Sequence, residues 1–301
     1  MPIDFVFPKL SWNSLFLFSD IFSSFLLPFQ LHFMQRAFVI GLIAALLAGI
    51  VGSFLMLQRL TLLSDAISHS VLPGLAIAFS FGIPLIFGAL LASIISVIII
   101  NWIRTESRLK EDTAIGIVFA SFFGLGILLI SVIQKDNKVD LNHFLFGNIL
   151  GITSEDLQNT SIILAIILLF FISCYRQLKC YTFDPIMAQT IGLPINFLQS
   201  TFLILVALTI IVSMKAIGVI LVLALLVTPG ATGLLLGKSL EYVILISSII
   251  GVSCSFSGML LSYLFNIPPG PTIVLITSLI FFALFLIINK KESISDINKL
   301  N

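Results

Sequence analysis

Asp65 and His69 stand four residues apart in the run LLSDAISHSVLPG, inside an otherwise apolar part of the chain. On an α-helix that spacing puts both side chains on one face, about one turn apart. A carboxylate oxygen beside an imidazole nitrogen suits Mn²⁺, Fe²⁺ or Zn²⁺, among which geometry selects as much as donor type. An ionisable group at the centre of a bilayer costs about 3 kcal/mol on insertion scales, so such groups tend to line a pathway. Two donors from one helix are too few to enclose an ion. A second copy of the chain would bring two aspartates and two histidines together on a two-fold axis. A plainer reading stays open: Asp65 capping a helix N-terminus and His69 bonding a neighbouring helix. His32 carries no functional claim; His143 reads as a surface or packing residue, with a transient metal contact as the alternative, and the chain has no H-E-x-x-H pattern. Cys174, Cys180 and Cys254 are scattered without C-x-x-C spacing, which supports neither a disulfide framework nor a thiolate site.

The elements that must position this pair are membrane helices. The 301 residues are 59% hydrophobic and 10% charged, whereas a soluble domain keeps roughly 25% charged residues for its surface. Spans of about 20 apolar residues are predicted near 37–57, 66–82, 84–103, 114–134, 160–175, 197–213, 216–237, 242–265 and 271–289. The fold class expected is an all-α polytopic membrane protein of about nine transmembrane helices, within a range of eight to ten. Pro73 and Gly74 interrupt the second span, as is tolerated where protein or a water-filled cavity satisfies the freed backbone groups. Residues 1–35 form an N-terminal segment read as an interfacial helix, with a tenth span as the alternative. Residues 36–290 form the transmembrane domain and 291–301 a cytoplasmic tail. No cleavable signal is expected at the N-terminus.

Basic residues orient the helices, because loops rich in Lys and Arg stay cytoplasmic. Placing Arg59 inside carries Arg104, Arg108, Lys110, Arg176, Lys179, Lys238, Lys290, Lys291 and Lys299 with it, ten of the 15 basic residues. The N-terminus then lies outside and the C-terminus inside. On the inner side, Asp184-Pro185 reads as a helix start and Gly192 as its end, which gives a short, well-capped helix. The charged run Arg104 to Asp112 reads as a solvated turn. Outside, the Pro268–Pro271 cluster reads as a rigid hairpin. With net charge +1, no nucleic-acid partner is expected. No G-x-x-x-x-G-K-[ST] loop occurs, so ATP hydrolysis would have to come from another chain.

Several blocks occur in the order found in one known family. They are Leu62 to Phe79 (LLSDAISHSVLPGLAIAF), Glu111 to Ile117 (EDTAIGI), Asp140-Leu141 leading to Leu145–Asn148 (LFGN), Phe183-Asp184-Pro185 with Ala188 and Gly192, Leu226 to Pro229 (LVTP), and Pro269-Gly270-Pro271. Over residues 35–285 the chain resembles the permease subunits of the manganese, zinc and iron ABC importers. One departure is Pro229-Gly230-Ala231-Thr232-Gly233, where that family more often has Pro-Ala-Ala-x-Ala.

The resemblance implies the type II ABC importer permease fold, a second permease copy and a pair of cytoplasmic ATP-binding subunits. It also implies an extracytoplasmic solute-binding protein that delivers the metal. It makes Asp65 and His69 ligands in the translocation path, and Phe183, Asp184, Pro185, Ala188 and Gly192 the segment that couples to the ATPase. Pro73, Gly74, Pro229 and Gly230 become gating or packing candidates. No permanently bound cofactor and no enzymatic chemistry are expected. The transported ion is Mn²⁺, Zn²⁺ or Fe²⁺, moved by alternating access. The host membrane would be a bacterial inner membrane or a plastid membrane. Two rivals remain at this level: a metal transporter driven by an ion gradient, and an ABC permease for a siderophore or vitamin.

Overall fold

The computed structural model describes residues 27, 29–107, 109–133, 153–237 and 239–300; Asp140–Asn148 and most of the N-terminal segment lie outside them. Twelve helices and no strand occur among the described residues. They are α1 (His32–Leu57), α2 (Thr61–Ser70), α3 (Leu72–Ser80), α4 (Leu85–Glu106), α5 (Glu111–Ile133) and α6 (Ser154–Ser173), then α7 (Tyr175–Phe183), α8 (Pro185–Thr190), α9 (Ile195–Ile217), α10 (Val219–Leu236), α11 (Leu240–Phe265) and α12 (Pro269–Leu300). Eight helical segments are long and apolar enough to cross a bilayer, α2 and α3 counting together as one. A pair bent by 64°, α6 with α7, brings the number to nine. The protein is therefore an all-α polytopic membrane protein, as its composition requires.

Two groups of helices meet across α9. In one, α1 packs on α10 and α11, with α12 against α10 and α11; in the other, α2, α3, α4 and α5 pack together. The helix α9 touches α4 and α2 on one side and α1, α6 and α10 on the other. Lipid is as apolar as a leucine side chain, so helix association depends on close approach and polar contacts. Glycines supply the approach. A Cβ at Gly74 would overlap the backbone carbonyl of Gly88, and one at Gly88 would overlap that of Gly74. In the same way Gly52 lies against the Leu226 carbonyl, while a Cβ at Gly230 would stand 3.0 Å from the Gly52 oxygen. The backbones of α3 and α4, and of α1 and α10, thus touch directly.

Gly74 and Gly230 sit at helix crossings, and Pro73 and Pro229 beside them are buried. Gly74→Leu is expected to destabilise the permease by about 3 kcal/mol, the upper end of overpacking costs, because backbone rather than a mobile side chain blocks the space. A lower thermal midpoint of the detergent-purified protein, with loss from the membrane fraction, checks this.

Candidate functional site

The helix α2 begins at Thr61 directly after Leu60, which is buried, as is Leu63 one turn on. These two leucines seat the start of the helix and turn the Asp65 face outward. Its serines point the other way. The Ser64 hydroxyl donates to the Thr61 carbonyl at 2.7 Å and the Ser68 hydroxyl to the Ser64 carbonyl at 2.8 Å. Ser70 Oγ lies 3.0 Å from the Ile67 carbonyl and 2.9 Å from Ser96 Oγ on α4. Asp65 is therefore in the second turn of α2, and the N-cap position belongs to Leu60. The capping reading of Asp65 does not hold. Beyond Ser70 the helix breaks at Val71 and resumes as α3, with Pro73 in its first turn. A proline there loses no hydrogen bond, because the first-turn N–H groups have no helical partner.

Nε2 of His69 lies 3.5 Å from Oδ1 of Asp65. The aspartate side chain is 52% exposed and the imidazole 27%. Two phenyl rings of α5 flank the imidazole edgewise: Phe119 at 5.4 Å and 75°, and Phe123 at 5.5 Å and 89°. Phe119 and Phe123 stack on each other at 5.7 Å. Edge-to-face contacts of this kind are favourable and restrict the imidazole to a narrow range of orientations. The result is a fixed nitrogen beside an accessible carboxylate oxygen. Among the described residues no group of three or more His, Cys, Asp or Glu side chains converges. One chain therefore brings together one carboxylate and one imidazole here. His143 lies outside the described residues.

The second locus is the short helix α8. Oδ1 of Asp184 accepts from the Met187 N–H at 2.9 Å, and Pro185 occupies the first turn. The helix closes at Ile191, and Gly192 follows with φ +87°, a left-handed conformation that a side chain would strain. Ala188 is fully buried, whereas Phe183, Ile186, Met187 and Ile191 are exposed, Ile186 at 76%. Apolar side chains therefore stand outward from a helix held by one small buried residue and a cap. Asp184→Ala removes the cap, and a loss of about 1 kcal/mol of local helix stability is expected. Faster amide hydrogen exchange confined to α8, with the long helices unchanged, checks it.

Several contacts around α8 have no signature in the sequence. Lys179 and Tyr175 of α7 both reach Oε1 of Glu241 at the start of α11, the lysine in an ion pair and the tyrosine hydroxyl at 3.1 Å. Nε2 of Gln58 donates to Oγ1 of Thr182 at 3.0 Å. Sequence reading takes Arg176 and Lys179 only as a basic turn, and Phe119 and Phe123 only as apolar span residues. Contacts between positions so far apart in the chain leave no local pattern.

A family model described as "ABC 3 transport family" matches residues 30–288. The chain is 94% identical over 296 residues to the membrane protein in the ycf23-apcF intergenic region of Cyanophora paradoxa, covering 98% of this chain and 99% of that one. It is 42% identical over 262 residues to the manganese import system permease protein ScaB of Streptococcus gordonii, covering 87% of this chain and 93% of ScaB. Among solved structures it resembles a chain of PsaBC from Streptococcus pneumoniae in complex with Fab. There the TM-score is 0.77 and the identity 38%, over 88% of this chain and 95% of that one.

Proposed function

We propose, for a chain that belongs to the ABC 3 transport family, that its cargo is a divalent transition metal, Mn²⁺ foremost, held in transit by Asp65 and His69. The observation that carries this reading is the exposed Asp65 carboxylate beside an imidazole fixed by Phe119 and Phe123, in a relative of a manganese import permease. A second copy of the chain completes the donor set, giving two carboxylates and two imidazoles across a two-fold axis. Oxygen donors suit Mn²⁺, and imidazole tolerates it, Fe²⁺ and Zn²⁺ alike.

In this reading a solute-binding protein delivers the ion from outside and a pair of ATP-binding subunits docks inside. The exposed apolar side chains of α8 enter a groove on the ATPase. Closure of the ATPase pair pushes α8 and switches the pathway from outward- to inward-open. The permease makes and breaks no covalent bond. It supplies a site whose access changes with ATPase state. The start of α1 faces outward and the end of α12 faces the cytoplasm.

Reconstitution tests this. Proteoliposomes holding the permease, its ATPase and its binding protein are expected to take up Mn²⁺ only with ATP inside and binding protein outside. Uptake by the permease alone, driven by a proton or sodium gradient and indifferent to ATP, would overturn the proposal.

A further inference from the structure

We propose that the hydrogen bond between Gln58 and Thr182 is the link by which movement of α8 reaches the Asp65/His69 helix, which makes both of them positioning residues for transport. The inference rests on the reading of α8 as the ATPase contact and of Asp65/His69 as the metal site, and adds the connection between them.

Thr182 is on the last turn of α7, two residues before the Asp184 cap that starts α8. Its hydroxyl oxygen accepts from Nε2 of Gln58 at 3.0 Å in a partly buried setting, across 124 positions of sequence. There water competes poorly for the bond, which strengthens it. Gln58 caps the C-terminus of α1, its N–H donating to the Phe54 carbonyl at 3.0 Å. Only Gln58, Arg59 and Leu60 separate α1 from α2. Arg59 takes φ +59°, rare for a residue with a side chain, and the Leu60 N–H returns to the Leu55 carbonyl at 2.9 Å. A turn that short and that constrained has no slack. Since α1 is buried between α10 and α11, a displacement at Gln58 passes forward into α2, and Asp65 is on its second turn.

The other end of α7 is tethered as well. Tyr175, Lys179 and Thr182 fall on one helical face at i, i+4 and i+7. The first two hold Glu241, at the start of α11, and the third holds Gln58. Helix α7 thus has the form of a lever: anchored on the packed bundle through Glu241, pushed at the α8 end, and delivering its motion at Gln58.

The test uses the complete complex in proteoliposomes, measuring ATP hydrolysis and Mn²⁺ uptake on the same preparation. Thr182→Val removes the hydroxyl and keeps the shape; Gln58→Leu breaks the bond from the other side. In both, hydrolysis is expected to stay within about two-fold of wild type. Uptake is expected to fall about five- to ten-fold, as loss of one net hydrogen bond in the working step implies. ATP consumed per ion rises by the same factor. Thr182→Ser should restore the ratio, and the double variant should be no worse than either single one, because both remove one interaction. An unchanged ratio of ATP to metal in both single variants would overturn the proposal. That outcome is distinct from failure of the underlying reading, which would show as full uptake in Asp65→Ala or intact ATPase binding in Ile186→Asp.

Discussion

Asp65→Ala is expected to cut ATP-driven Mn²⁺ uptake by about 100-fold or more while leaving the amount of assembled permease unchanged. Loss of a residue that merely supports a metal ligand commonly costs 10- to 100-fold, and Asp65 is proposed as a ligand itself. As a ligand it would also carry the negative charge that offsets the ion in a medium where uncompensated charge is costly. Two copies of the chain would lose two such charges at once. The side chain is 52% exposed and Asp65 is in a helix interior, so alanine breaks no packing and is favourable to the helix. His69→Ala leaves the carboxylate in place and is expected to have a smaller effect, about ten-fold. Asp65→Asn separates charge from size: it keeps an oxygen donor and should still lose most of the uptake. The measurement is initial-rate uptake of radioactive Mn²⁺, normalised to permease and ATPase content by blot.

The second large effect is expected at α8. Ile186→Asp places a carboxylate where the most exposed apolar side chain of that helix stands. If the residue enters a groove on the ATPase, the charge must be desolvated there without a partner, and central interface residues of this kind carry 2 kcal/mol or more, on the order of 30-fold in affinity. If two copies of the chain are present in the complex, the ATPase should no longer co-purify, and uptake should fall below detection. The isolated permease should fold normally, because Ile186 touches little within its own chain while Ala188 and the Asp184 cap hold the helix. Affinity purification of the tagged permease, probed for the ATPase, reads the outcome directly. ATPase recovered at the wild-type level would show that α8 is not the docking element.

Helix existence was legible in the sequence because about 20 apolar residues in a row admit few alternatives in a membrane. The Asp184 cap was legible because Asp, Pro and Gly act over a few residues. Boundaries were less so. The second span was expected to begin at residue 66, but the helix starts at Thr61, since Leu60 and Leu63 are buried and carry the packing surface past the polar Ser64 and Asp65. That shift is what removes Asp65 from a capping position. The last span, expected at 271–289, lies inside a helix that continues to Leu300; apolarity marks the bilayer, not the end of a helix. The clamp of Phe119 and Phe123 on His69, the Gln58–Thr182 bond and the grip of Lys179 and Tyr175 on Glu241 were invisible. Each depends on where α5, α1 and α11 lie in space, and no periodicity reports that. The pairing of Asp65 with His69 was visible as spacing. Its accessibility, which separates a site from a buried pair, was not.

In the proposed mechanism Asp65 and His69 hold the transported ion between two copies of this chain. Mn²⁺ is paramagnetic, so its binding to the purified complex can be followed by the loss of the free-ion resonance during titration. One saturable Mn²⁺ per two permease chains is predicted for the wild type, and none for the Asp65→Ala/His69→Ala double variant. A double variant that assembles normally and still binds one ion per pair with wild-type affinity would contradict the account.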